Sequence, residues 1–93
     1  MITIVAKGVV KDGMNEEYIK VAKKMMEETR KEKGCISYTL YQEMNDPQVF
    51  CFIEHWETQA DIDAHNASEH FKTLVPIMRD MRSESTINHF VEP

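Results

Sequence analysis

The sequence has no excess of positive charge, few glycines and prolines, only two cysteines and no long apolar run. Each shortage excludes something. Lys and Arg number 11 against 16 Asp and Glu, a formal net charge of −5, whereas a general nucleic-acid binder presents a basic face. The three glycines, Gly8, Gly13 and Gly34, are too scattered for a phosphate-cradling loop. Two thiols, Cys35 and Cys51, make neither a disulfide framework nor a zinc site. A bilayer span needs ~20 apolar residues in a row, and no such run exists. Residues Met1–Lys7 lack the basic stretch and long apolar segment of a signal peptide. No nucleic-acid or membrane partner is expected, and the expected compartment is the cytoplasm.

What is present fits one small globular unit. The 93 residues, 42% hydrophobic and 29% charged, suit a single domain spanning 1–93 and argue against disorder. A chain of this size has a modest core of its own, so a partner subunit is expected to add stability. Seven methionines suit core filling or an adaptable apolar pocket.

Residues 2–10 are β-branched and alternate, which predicts a strand; Lys11-Asp12-Gly13 is a turn signal. Asn15 is an expected N-cap, followed by Glu16 and Glu17 in the first turn. Tyr18, Val21, Ala22, Met25 and Thr29 mark one face of a helix over about 15–33, with Gly34 as its C′ residue. Cys35–Glu43 and Val49–Glu57 predict two strands joined through Asn45-Asp46-Pro47 as an antiparallel hairpin. That register sets Cys51 across from Gln42 and Cys35 across from Thr58, too far apart to bridge. Thr58-Gln59-Ala60-Asp61 opens a short helix over 59–67, and Ser68 offers a second cap. Pro76 predicts a break near Thr73, with Pro76 in the first turn of a restarted helix. Ser85–Val91 is the last predicted strand.

The order β-α-β-β-α-β predicts an α+β ferredoxin-like fold, one antiparallel sheet with helices on one face. The third strand complicates this. Val49, Cys51 and Ile53 point to one side and Phe50, Phe52 and Trp56 to the other, so both faces are apolar. The simplest cover for the second face is the sheet of an identical subunit.

Four histidines could act as acids or bases near neutrality: His55, His65, His70 and His89. His65 shares the inward side of its helix with Ile62. His70, five residues on, can join it in one cavity only if the helix breaks between them. The pair lacks the i, i+4 spacing of a helical zinc site and no third ligand is evident, so no metal is expected. Neither cysteine sits at a helix N-terminus or beside a basic cluster. Trp56 is either a core residue or a flat wall for an aromatic ligand. Glu54 on the same face needs a hydrogen-bond partner, such as a backbone N–H or a histidine.

The segments Ile53-Glu54-His55-Trp56-Glu57-Thr58 and Ala64-His65-Asn66-Ala67-Ser68-Glu69-His70-Phe71 resemble the antibiotic biosynthesis monooxygenase family. That family pairs E-x-W on strand three with a helical histidine and a later histidine–aromatic pair. Lys31-Glu32-Lys33-Gly34-Cys35 is similar to its Glu-Glu-x-Gly-Cys at the end of helix one. The resemblance implies a dimeric α/β barrel with sheets packed face to face and a pocket between sheet and helices. It implies His65 and His70 as catalytic candidates and Trp56 and Phe71 as substrate-binding; His65, which follows the capping box on the inward side of its helix, is the first choice of base. Glu54, Asn66 and Met78 complete the expected binding set. The implied reaction is oxidation of a small quinol-like aromatic by O2 with no cofactor. Relatives on the same fold isomerise a small phosphorylated signalling sugar, which this pattern does not separate, or degrade haem with an Asn on strand one, which Ile2–Val10 lacks. A non-catalytic binding module stays open as well.

Overall fold

The computed structural model describes residues 1–93. Strand β1 (Ile2–Val10) leads to helix α1 (Asn15–Thr29). Strands β2 (Cys35–Gln42) and β3 (Val49–Trp56) follow, then helices α2 (Gln59–Asn66) and α3 (Glu69–Asp80) and strand β4 (Arg82–Phe90). The strands form one antiparallel sheet in the order β2-β3-β1-β4, the ferredoxin-like arrangement that the element order predicts. The period-two pattern decides the layers. On β3, Phe50, Phe52, Glu54 and Trp56 are buried, and Val49, Cys51, Ile53 and His55 between them are half-buried. The helical stripe Tyr18, Ala22, Met25 and Thr29 of α1 is buried on the same side. The Tyr18 and Phe50 rings lie 5.2 Å apart.

Local departures from expectation have tertiary causes. Asn15 is not the N-cap of α1. It lies inside the first turn, and its side-chain amide donates to the Pro47 carbonyl at 2.8 Å, tying the helix start to the β2–β3 turn. The helix also stops at Thr29, four residues short of position 33. Thr29 is the last of its side chains sealed in the core. Next, the Arg30 guanidinium donates to the Tyr38 carbonyl at 3.0 Å, and the chain tightens into turns. Glu32 N–H donates to the Thr29 carbonyl and Cys35 N–H to the Glu32 carbonyl. Gly34 adopts φ +82°, and a Cβ there would collide with the Asp61 carboxyl group, so only glycine fits.

Pro76 does not break its helix. The break falls earlier, at Ala67–Ser68, and α3 runs through Pro76. Proline forfeits one N–H, and the carbonyl it would have met belongs to Lys72; both residues are on the exposed side, where water can satisfy it. Leu74 and Met78, buried on either side of Pro76, hold the helix in one piece. Strand β4 begins at Arg82 rather than Ser85, because pairing with β1 continues past an irregularity at Val9/Val10. The hairpin register is one residue off the expected one, so Tyr41 rather than Gln42 faces Cys51, and an irregularity at Cys35/Ser37 then sets Trp56 opposite Cys35. Both thiols are free.

No helix covers the second face of the sheet. Val5 and Val9 of β1 sit there beside Val49, Cys51 and Ile53 of β3, all half-buried. No helix is long and apolar enough to cross a membrane.

Candidate active site

The shortened end of α1 has a chemical result. The turn that replaces its last helical residues carries Glu32 beneath α2 and α3. There one Glu32 carboxylate oxygen, Oε2, lies 2.6 Å from His65 Nδ1 and 2.9 Å from His70 Nε2. A carboxylate accepts, so both imidazoles donate. The break between α2 and α3 makes the meeting possible. Ser68 caps α3 by accepting from Phe71 N–H at 3.3 Å, donates to the His65 carbonyl at 2.7 Å, and lies 3.3 Å from His70 Nε2. A single hydroxyl thus fixes both histidine-bearing helices.

Aromatic rings hold His65 from the other directions. Trp56 is 4.8 Å away, Phe71 5.2 Å and Tyr38 5.6 Å between ring centroids. Burial lowers the His65 pKa, and the hydrogen bond to Glu32 opposes this. Burial thus favours the neutral imidazole. With Nδ1–H given to Glu32, Nε2 is the ring's free lone pair. Trp56 Nε1 donates to Glu54 Oε1 at 3.0 Å, so the partner that Glu54 requires is the indole two residues on. Burial still pushes the Glu54 carboxyl up to about 7. Burial also holds the Tyr38 phenol far above its ordinary value, so it keeps its proton.

A cavity of about 340 Å³ lies between the sheet and helices α2 and α3, at the small end of the range for ligand pockets. Of the residues selected from sequence, Glu54, His65, Asn66, Phe71 and Met78 line it. Trp56 and His70 do not. Trp56 is fully buried behind His65 and supports that ring and Glu54 rather than forming a wall. His70 lies across Glu32 from His65; its side chain is 17% exposed against 4% for His65. Sequence reasoning missed Glu32, Tyr38, Arg79 and Arg82, the last three of which line the cavity. Glu32 had a signal, its place before Gly34-Cys35 in the family-like segment. Its flanking residues, Lys31 and Lys33, carry no sign of a buried partner.

Glu32 is also the third ligand atom that the histidine spacing did not reveal: with His65 and His70 it forms a set within 4.8 Å. The contacts of 2.6 and 2.9 Å are hydrogen-bond lengths. Ligands around a tetrahedral divalent ion stand roughly 3.3 Å apart. The set would have to spread and shed both ring protons to hold one.

Comparison with known proteins places this arrangement. The profile of the antibiotic biosynthesis monooxygenase family matches residues 1–76. The chain belongs to that family. An uncharacterized Synechocystis protein is 33% identical over 72 residues, 77% of this chain but 49% of the relative, so the chain spans about half of that protein's length. The candidate monooxygenase YcnE of Bacillus subtilis is 28% identical over 83 residues, covering 89% of this chain and 87% of its own. Among solved structures, a conserved protein from Methanosarcina mazei superposes with a TM-score of 0.96 at 35% identity, over 99% of this chain and 92% of that one. A structure described as an antibiotic biosynthesis monooxygenase gives 0.94 at 30% identity, over 100% and 99%. Within the family's β-α-β-β-α-α-β frame, the Glu32–His65–His70 cluster of this member is built on the turn after α1 and the break between α2 and α3.

Proposed function

We propose that this member of the family is a cofactor-independent monooxygenase that oxidises a small quinol-like aromatic with O2. The observation that carries the reading is a neutral, Glu32-held His65 on the wall of a largely apolar cavity. His65 Nε2 takes a phenolic proton, and the imidazolium that forms is paired with the Glu32 carboxylate. The electron-rich anion then reduces O2. A hydroquinone plus O2 gives a hydroxyquinone plus water, the substrate supplying all four electrons. His70, partly open to solvent on the far side of Glu32, offers the proton a way out. Phe71 and Met78 exclude water from the ring.

The test is oxygen uptake with 1,4-naphthoquinol after exhaustive chelation. Wild-type protein should accelerate it. His65→Ala should lose roughly 10²–10⁴-fold of the rate, and Glu32→Gln should lose less. Full activity of His65→Ala, or no acceleration of any quinol, would sink the assignment. Activity lost on chelation and restored by a divalent ion would overturn cofactor independence.

A second reading, proton-transfer isomerisation of a small phosphorylated sugar, is favoured by Arg79 and Arg82 at the same cavity. Under either reading the protein works as a homodimer through the uncovered sheet face, whose half-buried valines and Ile53 ask for an apolar partner. Light scattering should give twice 10.9 kDa at micromolar concentration.

A further inference from the structure

The cavity has two chemically different ends. Glu54 is level with Ile4 and Tyr38 in the sheet register, and His89 faces Ile4 from β4. Four residues along β1, Gly8 is level with Phe50 and Ser85. At ~3.3 Å per residue the two levels are about 13 Å apart. The first end holds the acid–base groups. The second holds Arg82 and Ser85, with Arg79 reaching in from the last turn of α3.

Arg82 is fitted there with care. Its stem lies across Gly8, where a Cβ would stand 2.6 Å from Cδ and 3.4 Å from Cγ. Any larger residue at Gly8 would displace it. Neither Arg82 nor Arg79 takes part in an ion pair; the only acids in such pairs are Glu28 and Glu32. Arg82 Nε is buried and has no hydrogen-bond partner. A buried guanidinium donor left unpaired is costly, and its planar fork matches a carboxylate or phosphate. At this end the chain offers the guanidinium the neutral Tyr18 phenol and no ion-paired carboxylate, so Nε and the positive charge are left for an anionic ligand to meet.

We infer that the Gly8 end of the cavity is an anion subsite in which Arg82, with Arg79 and Ser85, holds a carboxylate or phosphate of the substrate. The substrate is therefore elongated, its reacting part at His65 and its acidic group on the order of 10 Å away. This rests on the proposed function for which part reacts, but not for the subsite itself.

Calorimetric titration with four probes tests it: 5-(2,5-dihydroxyphenyl)pentanoate, its neutral amide, ribose 5-phosphate and ribose, the quinols kept anaerobic. The anionic member of at least one pair should bind tenfold or more tightly than its neutral counterpart. Arg82→Met, which keeps the stem over Gly8, should shrink that preference to within twofold, and Arg82→Lys should restore part of it. Thermal melting of each variant checks the fold. Equal affinity of acid and amide and of phosphate and sugar, binding of none of the four, or a preference unchanged in Arg82→Met would overturn the subsite. Amide turned over as well as acid would leave the quinol reading standing while the subsite fell. Arg82-dependent binding of ribose 5-phosphate alone would keep the subsite and remove the quinol.

Discussion

Strand β3 has two faces that are nearly alike in sequence and unlike in the folded chain. Phe50, Phe52, Glu54 and Trp56 meet three helices and are buried. Val49, Cys51, Ile53 and His55 meet none and remain half-buried. Hydrophobicity alone does not separate them. What does is the presence of one acid and one indole on the helix side, close enough to bond to each other. The covered face could take in a carboxyl group because Trp56 satisfies it; on the open face the one charge near the centre, Lys7 level with Cys51, stays exposed between half-buried Val5 and Val9. Burial on one side shifts the titration of an acid, and the other side is left without a helix to cover it.

The largest expected effect comes from breaking the covered face. Trp56→Ala removes a fully buried ring and the donor to Glu54 together, and should cost about 3–5 kcal/mol in chemical denaturation. Glu54→Gln sharpens the comparison through pH. The folded-state pKa of Glu54 is raised from 4.5 to about 7, so the folded protein holds this proton more tightly than the unfolded chain. Its contribution is most favourable below pH 4.5 and is lost as pH rises toward and past 7, by at most roughly 3 kcal/mol. Glu54→Gln should remove that fall, seen as a flatter melting temperature between pH 5 and 8. An unchanged slope would show that the carboxyl group is solvated. On the open face, Ile53→Asp should weaken self-association about 100-fold, or ~2.7 kcal/mol, and shift the light-scattering mass toward 10.9 kDa. The melting of the dilute protein should change far less. The smallest effect belongs to His55→Ala, which removes one contact of 3.0 Å to Thr3 Oγ1, worth under about 1 kcal/mol.

The fold was legible because it rests on local periodicities: alternation in β1 to β3, the Tyr18–Thr29 stripe of α1, and caps at Thr58 and Ser68. So were His65 and the walls at Phe71 and Met78, since α2 and α3 place them on predictable faces. The end of α1 was not. Residues 30–33 have good helical propensity, and only the pull of Arg30 toward β2 and the Asp61 carboxyl against Gly34 unwind them. Glu32 was hidden with that turn, because its partners lie 33 and 38 residues away. Arg82 was hidden differently. It falls before the expected start of β4, and nothing local shows that Gly8 leaves a bed for its stem. The cost of Pro76 is not legible locally, because it depends on which side of α3 meets water.

The only tryptophan of the chain is the buried Trp56, bonded to Glu54 and 4.8 Å from the His65 ring. Intrinsic fluorescence from this protein therefore has a single indole source, seated behind the cavity wall. A protonated imidazole beside an excited indole quenches it, and an ionised carboxylate on its N–H shifts its emission. Light at the indole wavelength will record proton traffic at the two acid–base groups without a label, and a ligand that changes either group will be seen by the same optical signal.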